Sequence, residues 1–181
     1  MLNRLLNESL ERGDFLDIYR EEYSYDAIFS RILAIGENLI AVAVIDDDGS
    51  FDGICFMRKT DISRIRKGGN EMKAIETLIS RRKEELPVWN RPLNDFDLID
   101  VVINYLKNDL LSIRTENLST EVCFMGKCLA HDDAWIKLQS YGTFQGRDHS
   151  ELFLRVADIT RVDILSKYSQ SIETVFADHS R

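Results

Sequence analysis

The chain has 181 residues, 44% of them hydrophobic, 30% charged and only two of them proline. This composition suits one globular domain or two small ones and excludes a disordered chain. Its net charge of −8 argues against a general affinity for nucleic acid, whose phosphates require a basic surface. The longest apolar run, residues 39–45, is far too short to span a bilayer, and the opening MLNRLLNESLERGD lacks the apolar core of a secretory signal.

Leu2, Leu5, Leu6 and Leu10 recur at helical spacing and predict a short amphipathic helix ending near Gly13. Strands follow at about 15–22, 27–35 and 39–46; the third, LIAVAVID, is apolar on both faces and belongs in the middle of a sheet. DDDGS (46–50) reads as a hairpin turn in which Gly49 supplies a positive φ. Strand four is expected at 51–59 and strand five at 61–67. Ile62 falls on the same strand face as Arg64 and Arg66 and cannot share one with Ile65, which predicts a twist or bend in strand five. Gly68 and Gly69 break that strand before a helix at 71–86 that carries Met72, Ile75, Leu78 and Ile79 on one side. PVWNRP (87–92) is the natural linker. Beyond it the order recurs: a helix at 96–107, strands near 110–117, 122–130, 134–141, 151–157 and 158–164, and a helix at 168–178. The expected organisation is therefore one unit over 1–86, a linker over 87–92 and a second unit over 93–181.

The recurrence extends to the residues themselves. With residues 61–78 set against 158–175, six of eighteen positions are identical: Asp61/Asp158, Ile62/Ile159, Arg64/Arg161, Ile75/Ile172, Glu76/Glu173 and Thr77/Thr174. Chance would give about one at ordinary residue frequencies. Further upstream RILAIGENLI (31–40) faces KCLAHDDAWI (127–136), and DFLDIYRE (14–21) faces DLLSIRTE (109–116). The offset drifts from 97 to 95 between these segments, as insertions in loops produce.

A helix, five short meandering strands and a helix in about 90 residues suggest a small closed barrel, because bent antiparallel strands with one apolar face bury their edges by rolling up. The N-terminal helix, the hairpin around DGSFDGICF (48–56), and DISRI and DITRV at the place of a fifth strand carry a resemblance. On these features the chain resembles the Sm-like branch of the SH3-like barrels, twice over nearly its whole length. The expected fold is mainly β with flanking helices: two similar five-stranded Sm-like (SH3-like) barrels related by internal duplication. The resemblance also implies edge-to-edge joining through strands four and five, within one chain or between chains. RNA binders of that family place Asp-x-Asn between strands two and three and Arg-Gly between strands four and five. Here those places read IGEN and RKTD in the first unit, and HDDA and RVAD in the second.

Charge is unevenly spread. Residues 58–83 hold nine basic residues against three acidic ones, a net +6 that leaves −14 for the rest. Such a split could serve self-association or one anionic partner. The candidate contacts for that partner are Arg58, Lys59, Arg64, Arg66, Lys67 and Arg161, the last taken from the repeat. Asp46, Asp47, Asp48 and Asp52 resemble a calcium loop in composition but have Phe51 and Met57 where it needs Gly and Glu, so a solvated hairpin tip is expected. His131-Asp132-Asp133 reads as a turn. Cys123 and Cys128, five apart on one strand, point to opposite faces and cannot clamp one metal. Asp148 and His149 are neighbours in a loop and do not define a triad. Trp89 and Trp135 are expected to be packing residues.

No catalytic, cofactor or metal motif stands out. The function expected is that of a non-catalytic interaction or scaffold protein working through its sheet edges or flanking helices, with a protein partner or self-association. RNA binding through 58–83 is the second reading, and a membrane is excluded as a partner. Three cysteines, an odd number, point to reduced thiols in the cytoplasm.

Overall fold

Leu6, with Leu2 and Leu10 beside it, carries α1 (Leu2–Arg12) onto one face of the sheet that follows, and Gly13, at φ 67°, closes the helix in the left-handed conformation. The computed structural model describes residues 1–120, 122–141 and 150–179, which divide into two units, Met1–Phe96 and Asp97–Arg181. The segment 87–92 thus falls within the first unit.

In the first unit β1 (Phe15–Arg20), β2 (Ser24–Ile35), β3 (Leu39–Ile45) and β4 (Phe51–Arg58) form an antiparallel meander. A 3-10 turn, Lys59–Asp61, leads to the short β5 (Arg64–Arg66), which pairs with β1. One face of the sheet buries Leu16, Ile18, Ile32, Ile40, Val42, Cys55 and Met57 with Leu6 of α1. On the other face α2 (Asn70–Arg82) sets Met72, Ile75 and Ile79 against Phe29 and Ile45. At the β3–β4 hairpin Gly49 is needed twice over. Its φ is 80°, and a Cβ there would stand 2.7 Å from Leu78 Cβ on α2.

The second unit begins with α3 (Leu98–Val101), opened by a capping box between Asp97 and Asp100 and continued by a π-helical turn, Val102–Leu106. Its strands are β6 (Leu111–Arg114), β7 (Cys123–His131), β8 (Trp135–Ser140), β9 (Ser150–Arg155) and, after a 3-10 turn at Val156–Asp158, β10 (Arg161–Ile164). The last helix, α4 (Lys167–His179), places Ile172 against Leu110 and Met125.

Mainly β with a few helices is what the chain forms, but the two closed Sm-like barrels expected from the resemblance are not. The strands of the first unit run in the open order β5-β1-β2-β3-β4 and those of the second in the order β10-β6-β7-β8-β9, antiparallel throughout. Among the described residues the fifth strand of neither unit ladders with the fourth, as closure requires. The physical reason is where the fifth strand pairs. Its ladder of three residues, Arg64–Arg66 and residues 161–163, is made with the first strand, so within each unit the order ends on an open fourth strand.

What DISRI and DITRV do is visible in the hydrogen bonds. The Ser63 amide donates to Tyr19 O at 2.9 Å, its hydroxyl donates to the same oxygen at 3.1 Å, and that hydroxyl accepts from the Glu21 amide at 3.0 Å. In the second unit the Thr160 amide donates to Arg114 O at 2.9 Å and its hydroxyl accepts from the Glu116 amide at 3.1 Å. The single Thr160 hydroxyl proton has two acceptors, Arg114 O at 3.1 Å and the buried Glu116 carboxylate at 2.7 Å. Each hydroxyl stitches the start of the fifth strand to the end of the first. Ile62 and Ile159 follow the same logic, Ile62 packing against the core and Ile159 buried. Replacing Thr160 by Val removes the hydrogen bonds its hydroxyl makes with the Glu116 amide and carboxylate and should cost about 1–3 kcal/mol in urea denaturation. Thr160→Ser, which keeps the hydroxyl, should cost about 1 kcal/mol or less.

Candidate functional site

The basic stretch lies in the first unit along β5 and α2, and four of its nine basic residues, Arg64, Arg66, Lys67 and Arg82, pair with carboxylates. Arg66 binds Asp17 and, at 2.7 Å, Glu71; both carboxylates raise its already high pKa, the hydrogen bond to Glu71 being the largest single cause. Lys67 pairs with Asp14, Arg64 with Glu21 at 3.0 Å while lying 3.9 Å over the Tyr19 ring, and Lys59 donates to Asn3 Oδ1 at 3.1 Å. Arg82 reaches Asp48 at 3.2 Å. Arg58 ends β4 half-buried. Arg161, equivalent to Arg64, does not face outward as Arg64 does: its side chain is 17% exposed and bonds the buried Asp163 at 2.7 Å. Five of the six candidates thus belong to the first unit, and the sixth, Arg161, is held against Asp163 in the sheet of the second.

Among the described residues no cluster of three or more His, Cys, Asp or Glu side chains is arranged to hold a metal ion. The carboxylates of 46–52 stand at the hairpin, where Asp48 accepts from the Ser50 amide at 3.0 Å. Asp132 accepts from the amides of Ala134 and Trp135 at 2.8 and 2.7 Å, and these bonds hold its carboxyl below the ordinary carboxylate value. Burial pushes the Cys128 thiol up, and Cys123 contacts Ser112 Oγ at 2.8 Å. Asp148 and His149 lie outside the described residues. No helix among the described residues is long and apolar enough to cross a membrane.

The repeat brings out a different site. Ladder pairs Leu39↔Arg58 and Ala41↔Phe56 in the first unit correspond to Trp135↔Arg155 and Lys137↔Phe153 in the second. Leu39, Ala41 and Phe56 are fully buried, whereas Trp135 is 43% and Phe153 55% exposed. The helices do not account for this difference. In both units the helix after the fifth strand covers the far end of this sheet face, α2 over Phe29 and Ile45, and α4 over Met125 and Leu110.

In the first unit the near end carries residues 87–96. Trp89 meets Phe56 edge-on with centroids 5.0 Å apart, the Glu37 amide donates to Asn94 O at 2.7 Å, and the Asn38 amide group donates to Asp95 O at 3.2 Å. Leu93 is buried beside Gly36, where an added Cβ would lie 2.8 Å from both Leu93 Cβ and Asn94 O. This strap was expected to be a linker and is instead part of the first unit.

In the second unit no described segment covers the near end. Trp135, Phe153, Lys137, Ala130, His131 and Asp132 line a concavity of about 500 Å³. Lys137 Nζ lies 5.6 Å from the Phe153 ring centre and pairs with Glu151 at 2.6 Å, and Arg155 lies 5.7 Å from the Trp135 ring centre. Leu129, left out of the ladder by a bulge between Cys128 and Ala130, adds a 44% exposed side chain nearby. Trp135 is thus a surface aromatic and not the packing residue expected. The sequence does carry the signal. LIAVAVI is apolar at every position, as a strand covered on both faces must be, whereas WIKLQS and ELFLR alternate buried Ile136, Leu138 and Leu154 with outward aromatic and charged residues.

Compared with known proteins, the chain matches no protein family, no curated protein and no solved structure.

The contrast between the units has a measurable consequence. Phe56→Ala should cost about 3–5 kcal/mol in chemical denaturation, as for a buried ring, while Phe153→Ala should cost about 1 kcal/mol or less.

Proposed function

We propose that this is a non-catalytic binding protein whose second unit docks a protein partner on the open face around Trp135 and Phe153. The observation that carries the reading is the contrast at equivalent positions. The same sheet face, buried in the first unit, presents two large aromatic side chains to solvent in the second. Aromatic rings backed by a sheet and bordered by charged residues are the composition of an interface core with its rim. The two rings expose on the order of 200 Å² of apolar surface, worth roughly 5 kcal/mol before the costs of association, which suits a reversible contact.

Nucleic-acid binding through residues 58–83 draws less support, because Arg64, Arg66 and Lys67 already have carboxylate partners in Glu21, Asp17, Glu71 and Asp14. A cytoplasmic setting belongs to the proposal and is supported by the odd number of cysteines.

The test is affinity capture from an extract of the native host, with the wild-type chain and a Trp135→Ser/Phe153→Ser double variant as parallel baits, both checked for fold by circular dichroism. The reading expects the specifically captured proteins to fall at least about tenfold with the double variant. An unchanged set of captured proteins would sink it, and an RNA gel shift at low salt would move the function to the basic stretch.

A further inference from the structure

The structure assigns an occupant to the open face of the second unit: a short extended peptide segment of a partner protein that inserts one aromatic side chain between Trp135 and Phe153. This rests on the proposed docking role of that face and names the chemistry that docks there.

The first unit supplies the precedent within the same chain. There the equivalent surface is met by a proline-flanked segment, residues 87–92, whose Trp89 ring stands edge-on to Phe56. Phe153 occupies the ladder position of Phe56, and a ring approaching it in the same way would enter the concavity of about 500 Å³. That space suits one aromatic side chain and the residues next to it. A ring there would lie between the Lys137 and Arg155 cations, each already placed beside an aromatic partner.

Area argues for a segment rather than a second copy of the chain. The exposed parts of Trp135, Phe153 and Leu129 amount to roughly 200–300 Å², against about 800 Å² per partner in a stable interface.

The polar half of the first-unit contact is not repeated. Gly36 is replaced by Asp132, and Asn38, whose side chain donates to Asp95 O, by Ala134. A Cβ at the first of these positions would collide with a backbone following the path of Leu93 and Asn94. The occupant therefore resembles residues 86–92 and must leave the surface before the place Leu93 takes.

The test uses the full chain, isotope-labelled for NMR, and a synthetic capped peptide of residues 86–92, Leu-Pro-Val-Trp-Asn-Arg-Pro. Saturable shifts confined to Leu129–Lys137, Phe153 and Arg155, with a Kd of roughly 10 μM to 1 mM, are expected. Trp89→Ala in the peptide, or Trp135→Ser or Phe153→Ser in the protein, should each weaken binding about tenfold or more, while Leu118→Ser, at a 70% exposed residue outside the concavity, should not.

No saturable shift at about 2 mM peptide, or binding indifferent to Trp135 and Phe153, overturns the inference, as does a dimer whose dilution exposes the same residues. Loss of captured proteins by the double variant alongside a silent peptide would leave the docking reading standing and this occupant wrong. Peptide binding with capture unchanged would do the reverse.

Discussion

One hydroxyl per unit, Ser63 in the first and Thr160 in the second, fixes the end of each fold. The chain crosses from the fourth strand to the far side of the first through a three-residue 3-10 turn, and at the landing point the hydroxyl and amide of this residue bind the carbonyl and amide at the end of the first strand. From that anchor the fifth strand needs only a three-residue ladder. The chain then turns into the helix that covers one end of the sheet. The aspartate before each anchor closes the turn in its own way, Asp61 with the buried Arg20 at 3.4 Å and Asp158 with Arg155 at 3.8 Å. Because the anchor is made from a side chain and backbone groups, it tolerates extensive change elsewhere, and the two units differ at most positions while keeping it.

Each sheet has two faces to cover, and the faces are treated differently. In the first unit the inner face meets the leucines of α1, and the outer face is shared between α2 and the strap around Trp89. A strand with both faces covered has to be apolar throughout, which is why Leu39, Ala41 and Ala43 stand with Ile40 and Val42 in one continuous run. In the second unit no described residues give the near end of the outer face that cover, and the equivalent strand returns to alternation. The surface left there is stabilised by its own charges, with Lys137 and Arg155 set beside the two rings and Lys137 paired with Glu151. These cations keep the patch soluble without hiding it.

Much of this was legible in the residues. The strand and helix positions follow from period and turn chemistry, and Gly49 was readable as a turn residue before its second role against α2 appeared. Three things were misread, and for the first two the deciding partner is remote in sequence. Barrel closure depends on where the fifth strand pairs, and the alternation in 61–67 does not reveal that its ladder is made with the first strand. The basic stretch reads as a free patch because Asp14, Asp17 and Glu21, which match it, precede it by some fifty positions. Trp135 reads as core through its alignment with Leu39; only its neighbours in the pattern, Lys137 and Gln139, indicate an open face.

Gly36 and its counterpart Asp132 have a consequence for how copies of this chain behave together. Two homologous units joined in tandem invite exchange: a strap released from the first unit of one molecule could seat on the second unit of another, whose own strap is then free for a third. That contact does not close on itself, so it would propagate into filaments. The single carbon that Asp132 places where Gly36 has none stands in the path of Leu93 and Asn94. It lets the second unit keep an aromatic surface in the open while refusing the full strap of its neighbours, Leu93 and Asn94 included.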